Sequence, residues 1–217
     1  MRRKRISAHA LAIELCRREN MSYNKVHEHS CKLLERYAKG QSDPLRGNKF
    51  RKKTFGSIQQ EKQNIRRRYI EIIKGKKPYT DEEYEDFVWD VVTSRWFMEK
   101  ATMILDLIEL LVDGSVSGTD YDVDFDARNQ GKQIRRILKD LFLRGENNVK
   151  DGKAIYVGMG ISRATYFRRR PDGIVLFGIL MWIYAKRREE EDIEAGIVDR
   201  PEEDIIDMPI SEEFVFV

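Results

Sequence analysis

Residues 154–170 read Ala154-Ile-Tyr-Val-Gly-Met-Gly-Ile-Ser-Arg-Ala-Thr-Tyr-Phe-Arg-Arg-Arg170, and the way this stretch is taken decides the fold. A short apolar segment runs into Gly158 and Gly160, a residue type that adopts the positive φ of a tight interhelical turn without a Cβ penalty. Ile161 follows as the plug of that turn. Ser162 then stands where an N-cap belongs, its hydroxyl placed to accept an orphan backbone N–H, and neither Pro nor Gly follows until Pro171. The pattern predicts a helix, a turn and a second helix within residues 151–170.

That second helix is short, about two and a half turns at 3.6 residues per turn. On this period Arg163, Ala164, Phe167, Arg168 and Arg170 share one side, with Ser162, Thr165 and Arg169 flanking it. A short basic helix that starts with a hydroxyl and an arginine suits the major groove of B-DNA. Arginine forks read guanine edges, while Ser, Thr and backbone N–H groups hold phosphates. These eight residues are therefore the expected contacts to double-stranded DNA. The plainer alternative is an ordinary helical corner with a solvated basic end.

The run Ile155 to Arg170, with an apolar helix after it, resembles the C-terminal end of the ArpU and RinA type regulators of phages and prophages of Gram-positive bacteria. That region of the family is similar to the last helix-turn-helix of sigma factors. The family pattern has a Leu-Gly-Ile-Ser-like turn followed by Thr-Tyr-Tyr-Arg or a similar run. Met159-Gly160-Ile161-Ser162 and Thr165-Tyr166-Phe167-Arg168 occupy those places here. Two departures stand out: Pro171-Asp172-Gly173 interrupts what is usually continuous helix, and Tyr156 replaces a small Ala. The resemblance extends from near Gly145 to Glu194. It implies sequence-specific DNA binding and control of transcription, in phage late-gene fashion, without catalysis.

At 217 residues the chain is long enough for one large or two small domains with a real core. Its apolar fraction of 41% and charged fraction of 35% describe a helix-leaning, surface-rich protein. The longest uncharged run, Gly173 to Ala185, is shorter than the roughly 20 residues that a membrane span needs. Ala10 to Leu15 is too brief for a signal-peptide core, so a cytoplasmic protein is expected. Cys16 and Cys31 then read as free thiols.

The net charge of +3 conceals a blocked arrangement. Residues 1–79 carry 22 Lys/Arg against 7 Asp/Glu, residues 80–131 carry 3 against 14, residues 132–188 carry 14 against 4, and residues 189–217 carry 1 against 12. Two basic blocks alternate with two acidic ones. Basic blocks offer surfaces to a polyanion, with affinity that falls steeply as salt rises, although a charge run is often only a solvated face.

Along the chain, helices are expected at 7–19 and 22–39, capped by Ser7 and Ser22, and this pair could itself meet DNA or a partner. His27, His29 and Cys31 alternate within the second of these helices, which turns successive members about 200° apart and speaks against zinc. Residues 41–56 read as a basic linker. Ser57 with Gln60, and Thr80 with Glu83, form capping boxes for helices to about Lys74 and Val112. The second of these helices, expected to divide near Thr93-Ser94, reads as the central core helix, with an apolar end that also fits a homodimer seam.

Asp120, Asp122, Asp124 and Asp126 alternate with apolar residues, but Phe125 and Gly131 stand where a calcium loop would need Gly and Glu. No metal site is expected there. Residues 127–144 read as a helix with Ile134, Ile137, Leu138, Leu141 and Phe142 inward and Lys132, Arg135, Arg136 and Lys139 outward. A buried helix is expected from Asp172 to about Asp192, and an acidic, disordered tail from there to Val217.

The expected fold is all-α: a basic helical region over 1–79, a helical core over 80–192 containing the helix-turn-helix domain, and the tail over 193–217. The leading function is a non-enzymatic DNA-binding regulator of transcription, without cofactor, with RNA polymerase and a second copy as possible partners. A sigma-like, polymerase-bound factor is the alternative, and a metal-dependent nucleic-acid enzyme using the aspartates ranks last.

Overall fold

Nine capped or abutting elements, all helical, make up the described parts of the molecule. The structure is a computed structural model, and it describes residues 7–40, 55–75, 80–114, 129–143 and 150–197. The helices are α1 (Ala8–Arg18), α2 (Tyr23–Gly40), α3 (Phe55–Lys74), α4 (Asp81–Val92), α5 (Arg95–Asp113), α6 (Gln130–Leu138), α7 (Gly152–Gly158) and α8 (Arg163–Glu194). A π-helical turn, Lys139–Leu143, continues α6. Among the described residues there is no strand, so the fold class is all-α.

Local chemistry sets the helix starts. Ser7 accepts from the Ala10 N–H, Thr80 from Glu83, Ser94 from Phe97 and Ser162 from Thr165, each satisfying one of the donors that a helix N-terminus leaves unpaired. Ser94 also divides the expected long helix: α4 stops at Val92 and α5 restarts at Arg95. Asn129 makes no side-chain cap for α6. Instead the Asp113 carboxylate, from the end of α5, accepts both the Gly131 and Lys132 N–H groups at 2.9 Å. Ser57 is not a cap either, because α3 already begins at Phe55.

Two expectations about the core change. The hub is α8, which packs against α1, α2, α3, α5, α6 and α7, rather than the 80–112 segment. In addition α8 does not stop at Pro171 but passes through it to Glu194. Proline removes one N–H from a helix and crowds the carbonyl four residues back, here that of Phe167. The neighbouring residues offset this. Ile174 to Met181 are all buried, and Phe177 meets Phe97 of α5 edge-on at 6.1 Å. Asp172, also buried, accepts from the Tyr23 hydroxyl of α2 and faces His9 of α1, both at 2.7 Å.

Residues 41–54, Asp120 to Asp126 and residues 198–217 lie outside the described residues, so the linker, the aspartate cluster and most of the acidic tail do too. The part of the tail that is described, Ile193 to Ile197, finishes α8 and caps it with Gly196 at φ +67°. No helix among the described residues is long and apolar enough to cross a membrane.

Candidate nucleic-acid interface

α7, the turn after it and the first turns of α8 form a small unit on their own miniature core. Ile155, Met159 and Tyr166 are buried together with Ile137 of α6, and Leu141, Tyr156 and Ile161 pack around them. Tyr156 is the bulky residue where a small one was the norm. Its ring rests against Tyr166 at 5.9 Å, filling space between α7 and α8 rather than obstructing their approach.

The turn is fixed by backbone bonds. Gly160 takes φ +62°, its N–H donates to Val157 O, and the Ile161 N–H donates to Tyr156 O. This double bond across a left-handed residue is a Schellman C-cap, and the positive φ is the reason that glycine suits position 160. Ser162 follows at φ −68° and ψ 151°, accepting from the Thr165 N–H at 3.1 Å while sharing a 2.9 Å hydrogen bond with the Thr165 hydroxyl. At the other end of the unit, the Asp151 carboxylate accepts from the Ala154 N–H and starts α7. Lys153 thereby lies in the first turn of α7.

Ser162, Arg163, Ala164, Phe167 and Arg168 are exposed, and Thr165 is half-buried. Phe167, at 51% exposure, is an unusually open aromatic. The Arg163 guanidinium lies over its ring, 5.4 Å from the centroid, and Tyr166 supports that ring edge-on at 5.2 Å. Among the described residues neither Arg163 nor Arg168 makes an ion pair. By contrast Arg66 and Arg67 are held by Asp192 and Glu189 of α8, and Arg68 by Asp90 of α4. Lys153, Arg163 and Arg170, with Tyr156, Tyr166 and Phe167, line an open pocket of about 430 Å³ between α7 and α8.

Arg169 and Arg170 depart from the expected outward face. Arg169 is 5% exposed, and burial, followed by the neighbouring Arg168, pushes its guanidinium below the ordinary arginine value, with Asp113 opposing. Arg170 is half-buried and turns towards α2, where burial lowers the His27 imidazole and Arg170 lowers it further, while burial and then Glu35 raise the Cys31 thiol to about 11 against the opposing charge of Arg170. The cause is the continuity of α8. Because the helix does not stop at Pro171, Tyr166, Arg169 and Gly173 fall on the stripe that enters the core.

The cations of α6 are also placed differently from expectation. Arg135 reaches Asp106 of α5 at 3.0 Å, and Arg136 donates to the buried Asp140 at 2.9 Å. The apolar side of the same helix is as expected, with Ile134, Ile137, Leu138 and Phe142 buried. What sequence reasoning missed at the site is Lys153, and the signal was present. Asp151 stands three residues before Ala154, the spacing of an N-cap and its acceptor bond.

Comparison with known proteins finds no matching family model, no matching curated protein and no matching solved structure.

Proposed function

We propose that this chain is a non-enzymatic, sequence-specific DNA-binding regulator of transcription that lays the start of α8 in the major groove. One observation carries the reading: Arg163 and Arg168 are exposed and free of ion pairs among the described residues, while Arg66, Arg67, Arg68 and Arg135 are spent on the molecule's own carboxylates. Ser162 and Thr165 stand beside Arg163 for phosphate oxygens, and Phe167 offers an apolar surface of the kind that meets a thymine methyl. The likeness of Met159 to Arg168 to the ArpU and RinA type regulators adds the setting, a phage or prophage promoter.

Selection of bound fragments by the purified chain from random duplexes yields a defined motif on this reading. Arg163→Ala or Arg168→Ala then loses about 1–3 kcal/mol on the selected site and little on random duplex. Equal losses on both would reduce the contact to backbone attraction. Absence of any selected motif, together with co-purification of RNA polymerase, favours the sigma-like alternative.

A further inference from the structure

The backbone that joins α7 to α8 occurs a second time, between α1 and α2, with Ser22 in the place of Ser162. Glu19 at φ −91° and ψ 10° matches Met159 at φ −95° and ψ −6°. Asn20 at φ +53° matches Gly160 at φ +62°, and it is the only non-glycine among the described residues with positive φ. The closing bonds correspond one by one. Asn20 N–H donates to Arg17 O and Met21 N–H to Cys16 O, as Gly160 does to Val157 and Ile161 to Tyr156. Burial corresponds too: Val26 with Tyr166, Leu33 with Gly173 and Tyr37 with Phe177 face inward, and Asn24 with Ala164 and Glu28 with Arg168 face outward.

We infer that the α1–α2 corner is a second base-reading surface for double-stranded DNA, with Asn24 and Lys25 as its contacting pair; this rests on the reading of α8 given above. Both residues are exposed, and among the described residues neither makes a hydrogen bond or an ion pair. The acids around them are engaged: Glu14 by Arg17, Glu19 by Arg18 and Glu28 by Lys32. An amide is the side chain that pairs with an adenine edge, and lysine reaches guanine O6 and N7. Charge favours the same occupant. Residues 1–40 hold 10 Lys/Arg against 4 Asp/Glu, with Arg2-Arg3-Lys4-Arg5 just before Ser7.

Tyr23, in the place of Arg163, is unavailable for reading because its hydroxyl is committed to Asp172 at 2.7 Å. That bond fixes the start of α2 about 14 Å along α8 from Arg163, nine residues at about 1.5 Å each. This offset along α8 is below the roughly 34 Å of one duplex turn, which is compatible with one chain reading a continuous, asymmetric site.

Footprinting of the full chain on its selected duplex tests this, using Asn24→Ala with Lys25→Ala beside Arg163→Ala, each checked for retained helical circular dichroism. The double variant is expected to lose protection on one flank of the site and about tenfold in affinity, with Arg163→Ala affecting the other part. An unchanged footprint and affinity in the double variant overturns the second surface while leaving the α8 reading intact. Equal weakening on selected and random duplex also overturns it, as a backbone contact only. If the unaltered chain selects no motif, the α8 reading falls and the inference with it.

Discussion

Gly178 fixes how closely α2 and α8 approach. A Cβ built there would lie 1.8 Å from the Ser30 hydroxyl oxygen, which can swing about χ1, and 2.9 Å from Ser30 Cβ, which is fixed to the α2 backbone. The Gly178 carbonyl is in use as well, accepting from the buried Tyr69 hydroxyl at 3.2 Å. Alanine is worth about 1 kcal/mol more than glycine within a helix, but overpacking costs roughly 1–3 kcal/mol, so the clash decides the sign. Gly178→Ala should lower the unfolding free energy by about 1–2 kcal/mol in urea denaturation. Ser30→Gly removes the obstructing atoms, so the double variant should be more stable than the two single losses add up to. Additive losses would mean that the crossing relaxes by sliding.

At the scale of elements, what was legible in the sequence was what neighbours in the chain decide. The caps at Ser7, Thr80 and Ser162, the left-handed Gly160 and the break at Thr93-Ser94 each depend on residues within four positions, and each is found. The inward side of α6 was readable for the same reason. The orientation of Arg169 was not, because it depends on whether α8 continues past Pro171, and that is decided by distant partners. Asp172 is held by Tyr23 and faces His9, while Gly173 packs so closely on α6 that a Cβ would meet Ile134 at 2.7 Å. Tertiary packing thus overrides the strongest helix breaker in the chain. The proline still leaves the Phe167 carbonyl without its helical donor. Pro171→Ala restores that donor, and after allowing for a more flexible unfolded chain it should stabilise the fold by about 2 kcal/mol, read as a higher Tm in a thermal melt. An unchanged Tm would show that the local backbone has already relaxed around the ring.

For the molecule as a whole, several charges of the four blocks, among the described residues, are engaged in a system of internal contacts. Arg66 and Arg67 of α3 meet Asp192 and Glu189 near the end of α8, and Arg68, Arg36 and Lys62 meet Asp90, Glu85 and Glu99. A basic block that looks like a polyanion surface in sequence is therefore partly neutralised by acids remote in the chain, which no count along the sequence reveals. Lys153, Arg163 and Arg168 at the α7–α8 tip stay outside this system. Counterion release makes the two groups distinguishable, since each phosphate neutralised contributes about −0.9 to the slope of log K against log salt. Lys153→Ala should make that slope shallower by nearly one, to the same extent on selected and random duplex. Arg67→Ala with Arg68→Ala should leave it unchanged in fluorescence anisotropy titrations from low to physiological salt. A shallower slope in the α3 variant would mean that these ion pairs open and are exchanged for phosphates when the duplex binds, making the α3–α8 contact part of the binding surface.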